Sequence, residues 1–248
     1  MNRIPKRLKK EPLIEAIWQV QFEPAPDRPV GDLLPGILYS ALRQNHPQLQ
    51  LIRLPTADIP APVAQMDPNL RHMAKFRMEE PESSFLFQVG DRIVTLNCRK
   101  PYVGWDTFKA EILRLITAVR ESDLIPSPSR HTLRYIDLIT LKPAPDLSFF
   151  QLSIKLGTFD IREHPLQMRL ELQDNDCIHV VQIATPAHAV LPAGMQEGTI
   201  VDLESYTNES SDWDTISQSL DHLHDRSKAV FFEQILTDKA IEDMEPEY

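Results

Sequence analysis

The sequence predicts an α+β protein: antiparallel sheets covered by two long helices, in two related halves that each run a β-meander into a helix. Three observations carry this expectation. Several segments alternate apolar and polar residues with a period of two, and two long segments repeat apolar residues at three-and-four spacing. A Trp-Asp-Thr tripeptide opens both of those helical segments, at Trp105 and again at Trp213.

Taken in order, Ile14 to Phe22 alternates Trp18, Val20 and Phe22 against Ile17, Gln19 and Gln21, which predicts a half-buried strand. Gly31 to Gln44 predicts a helix, because Leu33, Leu34, Ile37, Leu38, Ala41 and Leu42 make one apolar stripe. Pro55, Pro60, Pro62 and Pro68 lack the amide hydrogen that a central strand needs, so 51–68 is expected to be mostly loop. Ser84 to Cys98 predicts a hairpin turning at Gly90-Asp91. Asp106 is expected to cap a helix whose stripe is Phe108, Ile112, Leu115, Ile116 and Val119, ending before Pro126. Strands follow at 130–141, 152–161 and 166–172, and Asp174-Asn175-Asp176 predicts a turn into another strand from Cys177 to Ala184. A strand at 198–206 precedes one long helix from Asp212 to Met244, with Ile216, Leu220, Leu223, Val230, Phe231 and Ile235 inward.

The repeated tripeptide has upstream support, since Ile93-Val94-Thr95-Leu96 resembles Ile200-Val201-Asp202-Leu203. Duplication is therefore expected, with an N-terminal half at 1–142 and a C-terminal half at 143–248, parted near Pro143. In each half a helix would cover a sheet face that neither element buries alone.

Composition narrows the function. With 42% hydrophobic and 25% charged residues among 248, the chain is neither fibrous nor disordered. A formal net charge of -10 disfavours nucleic acid as a partner, because binding it requires a basic surface that displaces counterions. Two cysteines, Cys98 and Cys177, make no disulfide framework and point to a reducing cytoplasm. No apolar run is long enough for a membrane span or a signal peptide, so no membrane partner is expected. Arg3, Lys6, Arg7, Lys9 and Lys10 crowd the start, and Glu242, Asp243, Glu245 and Glu247 crowd the end. Two solvated ends are the simplest expectation; docking to a partner, or to each other, is the sharper one.

Catalytic signatures are missing. Gly31 to Gly36 has the glycine spacing of a phosphate loop, but Ile37 and Leu38 stand where lysine and a hydroxyl residue are needed. There is no nucleophile elbow, paired C-x-x-C, zinc-protease motif or dinucleotide fingerprint. Asp221, His222, His224 and Asp225 form a dense ionisable cluster; the two histidines are about 200° apart on a helix and cannot share an ion, whereas Asp221 with His224, or His222 with Asp225, could at three-residue spacing. No catalytic residue, metal ligand or cofactor is assigned. His179, inside an apolar strand, is expected to be a hydrogen-bonded sheet residue. Arg99, Lys100 and Tyr102, a basic and aromatic segment close to Trp105, are candidates for a partner or ligand surface, as are Arg134 and His224.

Pro12-Leu13-Ile14-Glu15-Ala16-Ile17, the FLFQVGDRIVTLNC hairpin leading to Pro101-Tyr102 and Gly104-Trp105, Leu133-Arg134-Tyr135-Ile136 and the closing Leu223-His224-Asp225 with Phe231 and Thr237 carry a likeness. Together they resemble a sporadically distributed bacterial family of about this length, over nearly the whole chain. The resemblance implies a cytoplasmic bacterial protein and transfers no catalytic residues. Its patchy distribution is that of accessory genes, including antiviral defence and toxin-antitoxin modules. The leading expectation is a non-enzymatic protein-interaction module, an accessory or immunity-like subunit whose partner is another protein or a second copy of itself. The alternatives are a container for a small ligand and, third, a metal-dependent phosphodiesterase using His224.

Overall fold

The computed structural model describes residues 4–25, 28–192, 194–207 and 212–248. In chain order its elements begin with β1 (Arg7–Leu8), β2 (Leu13–Gln21), α1 (Val30–Leu42), β3 (Gln50–Arg53), α2 (Ala61–Met66), α3 (Pro68–Arg71), β4 (Ala74–Glu79), β5 (Phe85–Gly90), β6 (Ile93–Arg99) and α4 (Trp105–Glu121). They continue with β7 (Arg130–Ile139), β8 (Lys155–Leu156), β9 (Phe159–Asp160), β10 (Leu166–Asp174), β11 (Cys177–Leu191), β12 (Gly194–Thr207), α5 (Trp213–Ala229), α6 (Asp238–Asp243) and β13 (Pro246–Glu247). The class is α+β with antiparallel pairing, as the alternation predicts.

By its contacts the chain forms two compact units that interleave in sequence. The first comprises Ile17–Thr132 and Glu209–Leu220; the second comprises Met1–Ala16, Leu133–Asn208 and Asp221–Tyr248. The sequence-based break near Pro143 does not coincide with these boundaries, because β2, β7 and α5 each change unit part-way along their length.

In the first unit β2, β6, β5, β4 and β3 lie side by side in that order. Helices α1 and α4 pack on each other, α1 also on β5 and α4 on β6. The predicted stripe of α4, Phe108, Ile112, Leu115, Ile116 and Val119, is buried. Its cap is Gly104, at φ 86°, and not Asp106, which lies in the first turn; an extended residue with positive φ suits glycine. The proline-rich segment is more ordered than expected. β3 pairs with β4, while Pro55 begins a short 3-10 turn and Pro60 and Pro62 flank the start of α2, positions where a missing N–H costs nothing.

The β5–β6 hairpin also differs in its turn. Gly90 is the last residue of β5, opposite Ala74, and the connection is Asp91–Arg92. A Cβ on Gly90 would stand 2.2 Å from the carbonyl oxygen of Met73, so glycine serves close backbone approach and not a left-handed turn. Gly90→Ala is expected to cost about 2 kcal/mol in urea unfolding, since backbone must move to admit the methyl group. A variant as stable as the parent would show that the β4–β5 edge yields freely.

In the second unit β10, β11, β12 and β7 form an antiparallel sheet in that order. Its core gathers Ile139, Phe149, Phe150, Val181, Ile183, Val201 and Leu203 with Val230, Phe231, Ile235, Leu236, Ile241 and Met244. β11 and β12 run longer than the strands expected at 177–184 and 198–206, extending past a register shift between Ala184 and Ala187. The segment 152–161 is not a full strand but the small β8–β9 hairpin, outside the β10–β7 sheet. The single long helix expected to Met244 is broken. A π-helical turn at Val230–Ile235 follows α5, Leu236 is extended, and Thr237 caps α6 by accepting from the Ala240 amide at 3.2 Å. The break lets Leu236 enter the core and the Thr237 amide donate to the Phe149 carbonyl.

The oppositely charged ends dock to each other. β1 pairs with β13, Arg7 reaches Glu247 at 3.2 Å and Lys10 reaches Glu245 at 2.9 Å, so the expectation of two solvated tails gives way to the sharper one. Arg3 lies outside the described residues.

Candidate functional site

Of the residues singled out from sequence, Arg99, Lys100 and Tyr102 belong to the first unit and Arg134 and His224 to the second. Arg99 ends β6 and pairs with Glu79 at 3.3 Å. Lys100 is half-buried beside it. The Tyr102 ring meets Phe108 edge-on at 6.1 Å, and Trp105 meets the same ring at 6.4 Å, so the aromatics cap the core of this unit. Arg134 spends its guanidinium fork on both carboxylate oxygens of Asp202, Nε donating to Oδ1 at 2.7 Å and Nη2 to Oδ2. That bond holds the Arg134 pKa above its ordinary value.

His224 lies on the other side of β7. Successive strand residues point to opposite faces, so Tyr135 turns away from Arg134, and its hydroxyl meets His224 Nδ1 at 2.8 Å. Burial, with Lys228 nearby, pushes the His224 imidazole down to about 4 and keeps it neutral at pH 7. Within the second unit, Arg134 and His224 thus engage opposite faces of β7. His179 is the hydrogen-bonded sheet residue that the alternation predicts: fully buried, it faces Ser205 across the β11–β12 ladder, Nδ1 to Oγ at 2.8 Å.

A different group converges in the second unit, where the β10–β11 turn meets α5. Asn175 adopts φ 54°, which asparagine tolerates, and Asp174 pairs with Cys177 across the two-residue turn. Consecutive strand residues would diverge, but Asp176 precedes the alternation, so its carboxylate and the Cys177 thiol point the same way. Oδ1 lies 3.8 Å from Sγ. From α5, His222 Nε2 lies 3.8 Å from that sulfur and 3.2 and 3.1 Å from the two Asp176 oxygens. One helical turn on, Arg226 donates to Asp174 Oδ2, and His179 Nε2 stands 3.6 Å from the same oxygen.

The electrostatics argue against a free thiolate. Burial, then Asp176 and Asp174, push Cys177 up to about 11, so the thiol keeps its proton at neutral pH and is a poor nucleophile unaided. The bond from His222 holds Asp176 below the usual carboxylate range, and the bond from Arg226 does the same for Asp174. Asp176, Cys177 and His222 thus offer a hard oxygen, a soft sulfur and an imidazole, all within 4.8 Å of one another. The turn, the cysteine and the histidine are each legible in sequence; their convergence is not, because His222 is 45 residues from Cys177.

No family model matches the chain, and no curated protein matches it. Among the described residues no helix is long and apolar enough to cross a membrane.

Proposed function

We propose that the chain is a protein-interaction module that associates with a second copy of itself by strand addition at β10. The observation that carries this reading is the bare edge of that strand. In the first unit β2 lies beside β6, the last strand of the β4–β5–β6 meander, and α4 follows; in the second, β7 lies beside β12, the last strand of β10–β11–β12, and α5 follows. Both helices open on Trp-Asp-Thr and run 17 residues, which supports duplication. β3 covers the edge of β4, but among the described residues no strand covers the corresponding edge of β10. An open edge presents unpaired N–H and C=O groups, a template for another strand.

The sequence of β10 suits a copy of itself. Antiparallel pairing about Leu170 would set Arg169 opposite Glu171 twice, Gln167 opposite Gln173 twice, and Met168 opposite Leu172. Leu170 and Leu172, 42% and 38% exposed, would then be covered. Opposite charges and apolar pairs directly across strands each contribute about 0.2–1 kcal/mol beyond the shared main-chain bonds. Exposed apolar pairs at the β8–β9 tip, Leu156 and Phe159, and near the β11–β12 tip, Val190 and Met195, add uncovered surface to the same unit.

Sedimentation across a concentration series tests the reading. The wild-type chain is expected to dimerise, Arg169→Glu and Glu171→Arg each to weaken the dimer, and the double swap to restore it. A monomer throughout, or a double swap as weak as either single change, would remove the β10 edge as the interface.

A further inference from the structure

We propose that Asp176, Cys177 and His222 bind one divalent ion of the zinc class, fastening the β10–β11 turn to α5. The inference is independent of association through β10. Its warrant is the shape of the triangle these atoms make. A tetrahedral zinc-class ion has bonds of about 2.3 Å to sulfur and about 2.0–2.2 Å to nitrogen and oxygen, which separates its ligand atoms by about 3.3–3.6 Å. The three edges here are 3.8 Å from Sγ to Nε2, 3.8 Å from Sγ to Oδ1 and 3.2 Å from Nε2 to Oδ1. Shifts of a few tenths of an ångström bring all three atoms onto one ion.

The donor set selects the ion. Thiolate with imidazole favours a borderline metal over magnesium or calcium, which take oxygen ligands. Charge balances as well: Arg226 and Asp174 neutralise each other, so a divalent cation would face one carboxylate and one thiolate, with the thiol proton released to solvent on binding. Access is open on one side only. The Asp176 and His222 side chains are 51% and 48% exposed, whereas Cys177 is buried, so the ion enters from solvent and keeps its fourth position for water.

Cobalt(II) is the probe, because a thiolate ligand gives it a near-ultraviolet charge-transfer band that a carboxylate–imidazole pair cannot. The full chain, reduced and freed of metal with chelator, is expected to take up one cobalt per chain with that band, and zinc(II) is expected to displace it. Cys177→Ser should abolish the band, and His222→Gln and Asp176→Asn, at half-exposed positions that folding tolerates, should each weaken binding more than about tenfold. Cys98→Ala should leave it unchanged. Zinc should also raise the thermal midpoint of the wild type and not of His222→Gln, since a ligand that binds only the folded chain stabilises it. Absence of the band at saturating cobalt, a band that forms as tightly in His222→Gln as in the wild type, or one that vanishes in Cys98→Ala would overturn the proposal and leave His222 and Asp176 as a plain hydrogen-bonded pair.

Discussion

Replacing His46 by alanine is expected to destabilise the protein by about 3 kcal/mol, measured by urea unfolding. His46 lies in the turn after α1, 8% exposed, with its ring edge-on to Phe87 at 5.3 Å. Nε2 meets Glu111 Oε1 at 2.9 Å and Nδ1 stands 3.5 Å from Glu80 Oε2. Glu111 is a carboxylate on the buried face of α4, 2% exposed, which also pairs with Arg114. Removing the imidazole strands a buried negative charge, which costs far more than the ion pair contributes on its own. Because Arg114 stays, the loss should fall near the low end of what breaking a buried pair costs. Glu111→Gln in the same background should recover part of it, and a double variant no better than His46→Ala would show that the stranded charge is not the cause.

The same pair fixes a dependence on pH. The hydrogen bond that His46 donates to Glu111 raises the His46 pKa above its ordinary value of 6.5 despite burial. A raised folded value means that this contribution is fully present below about 6.5 and fades as pH rises through the folded pKa. For Glu111, burial acts upward, but the bonds from His46 and Arg114 outweigh it and leave the carboxyl below its ordinary value of 4.5. Its contribution is present above about 4.5 and is lost as pH falls through the depressed value. The stability difference between wild type and His46→Ala should therefore be widest between about pH 4.5 and 6.5 and narrow on either side. A difference that keeps growing above neutrality would reverse the assignment.

Glu111 also marks how far sequence alone reaches. The stripe of α4 was legible because a helix repeats its inward positions every three or four residues, but Glu111, buried on the same helix, was not singled out. Which residue answers it was not legible, since His46 is 65 residues away and carries no local pattern. The same limit hid the Asp176, Cys177 and His222 triangle: the turn and the helix were both expected, but not the register of one over the other. Local signals misled where two causes produce the same residue. Gly90 suited a turn, yet the close approach of Met73 is what requires it. The break at Leu236 and Thr237 carries neither glycine nor proline, because core packing of Leu236 ends the helix there. Charge patterning did foretell the pairing of the termini as its sharper outcome, but only the β1–β13 ladder decides between docking and two solvated ends.

Phe108→Ala is the second large effect, expected at about 3–5 kcal/mol, the cost of emptying a fully buried aromatic position. The Phe108 ring receives Tyr102 and Trp105 edge-on, so its removal withdraws the support of both. That links a stability measurement to the residues the sequence put forward as a surface. If Tyr102 belongs to the core of its unit, Tyr102→Ala should also lower the urea midpoint, and Phe108→Ala should red-shift tryptophan emission in the folded state as Trp105 gains solvent. Arg99→Ala should do neither, because its ion pair with Glu79 is half exposed and contributes at most about 1 kcal/mol. The opposite pattern, a tolerant Phe108 and Tyr102 beside a costly Arg99, would return that segment to the surface role that its basic and aromatic residues first suggested.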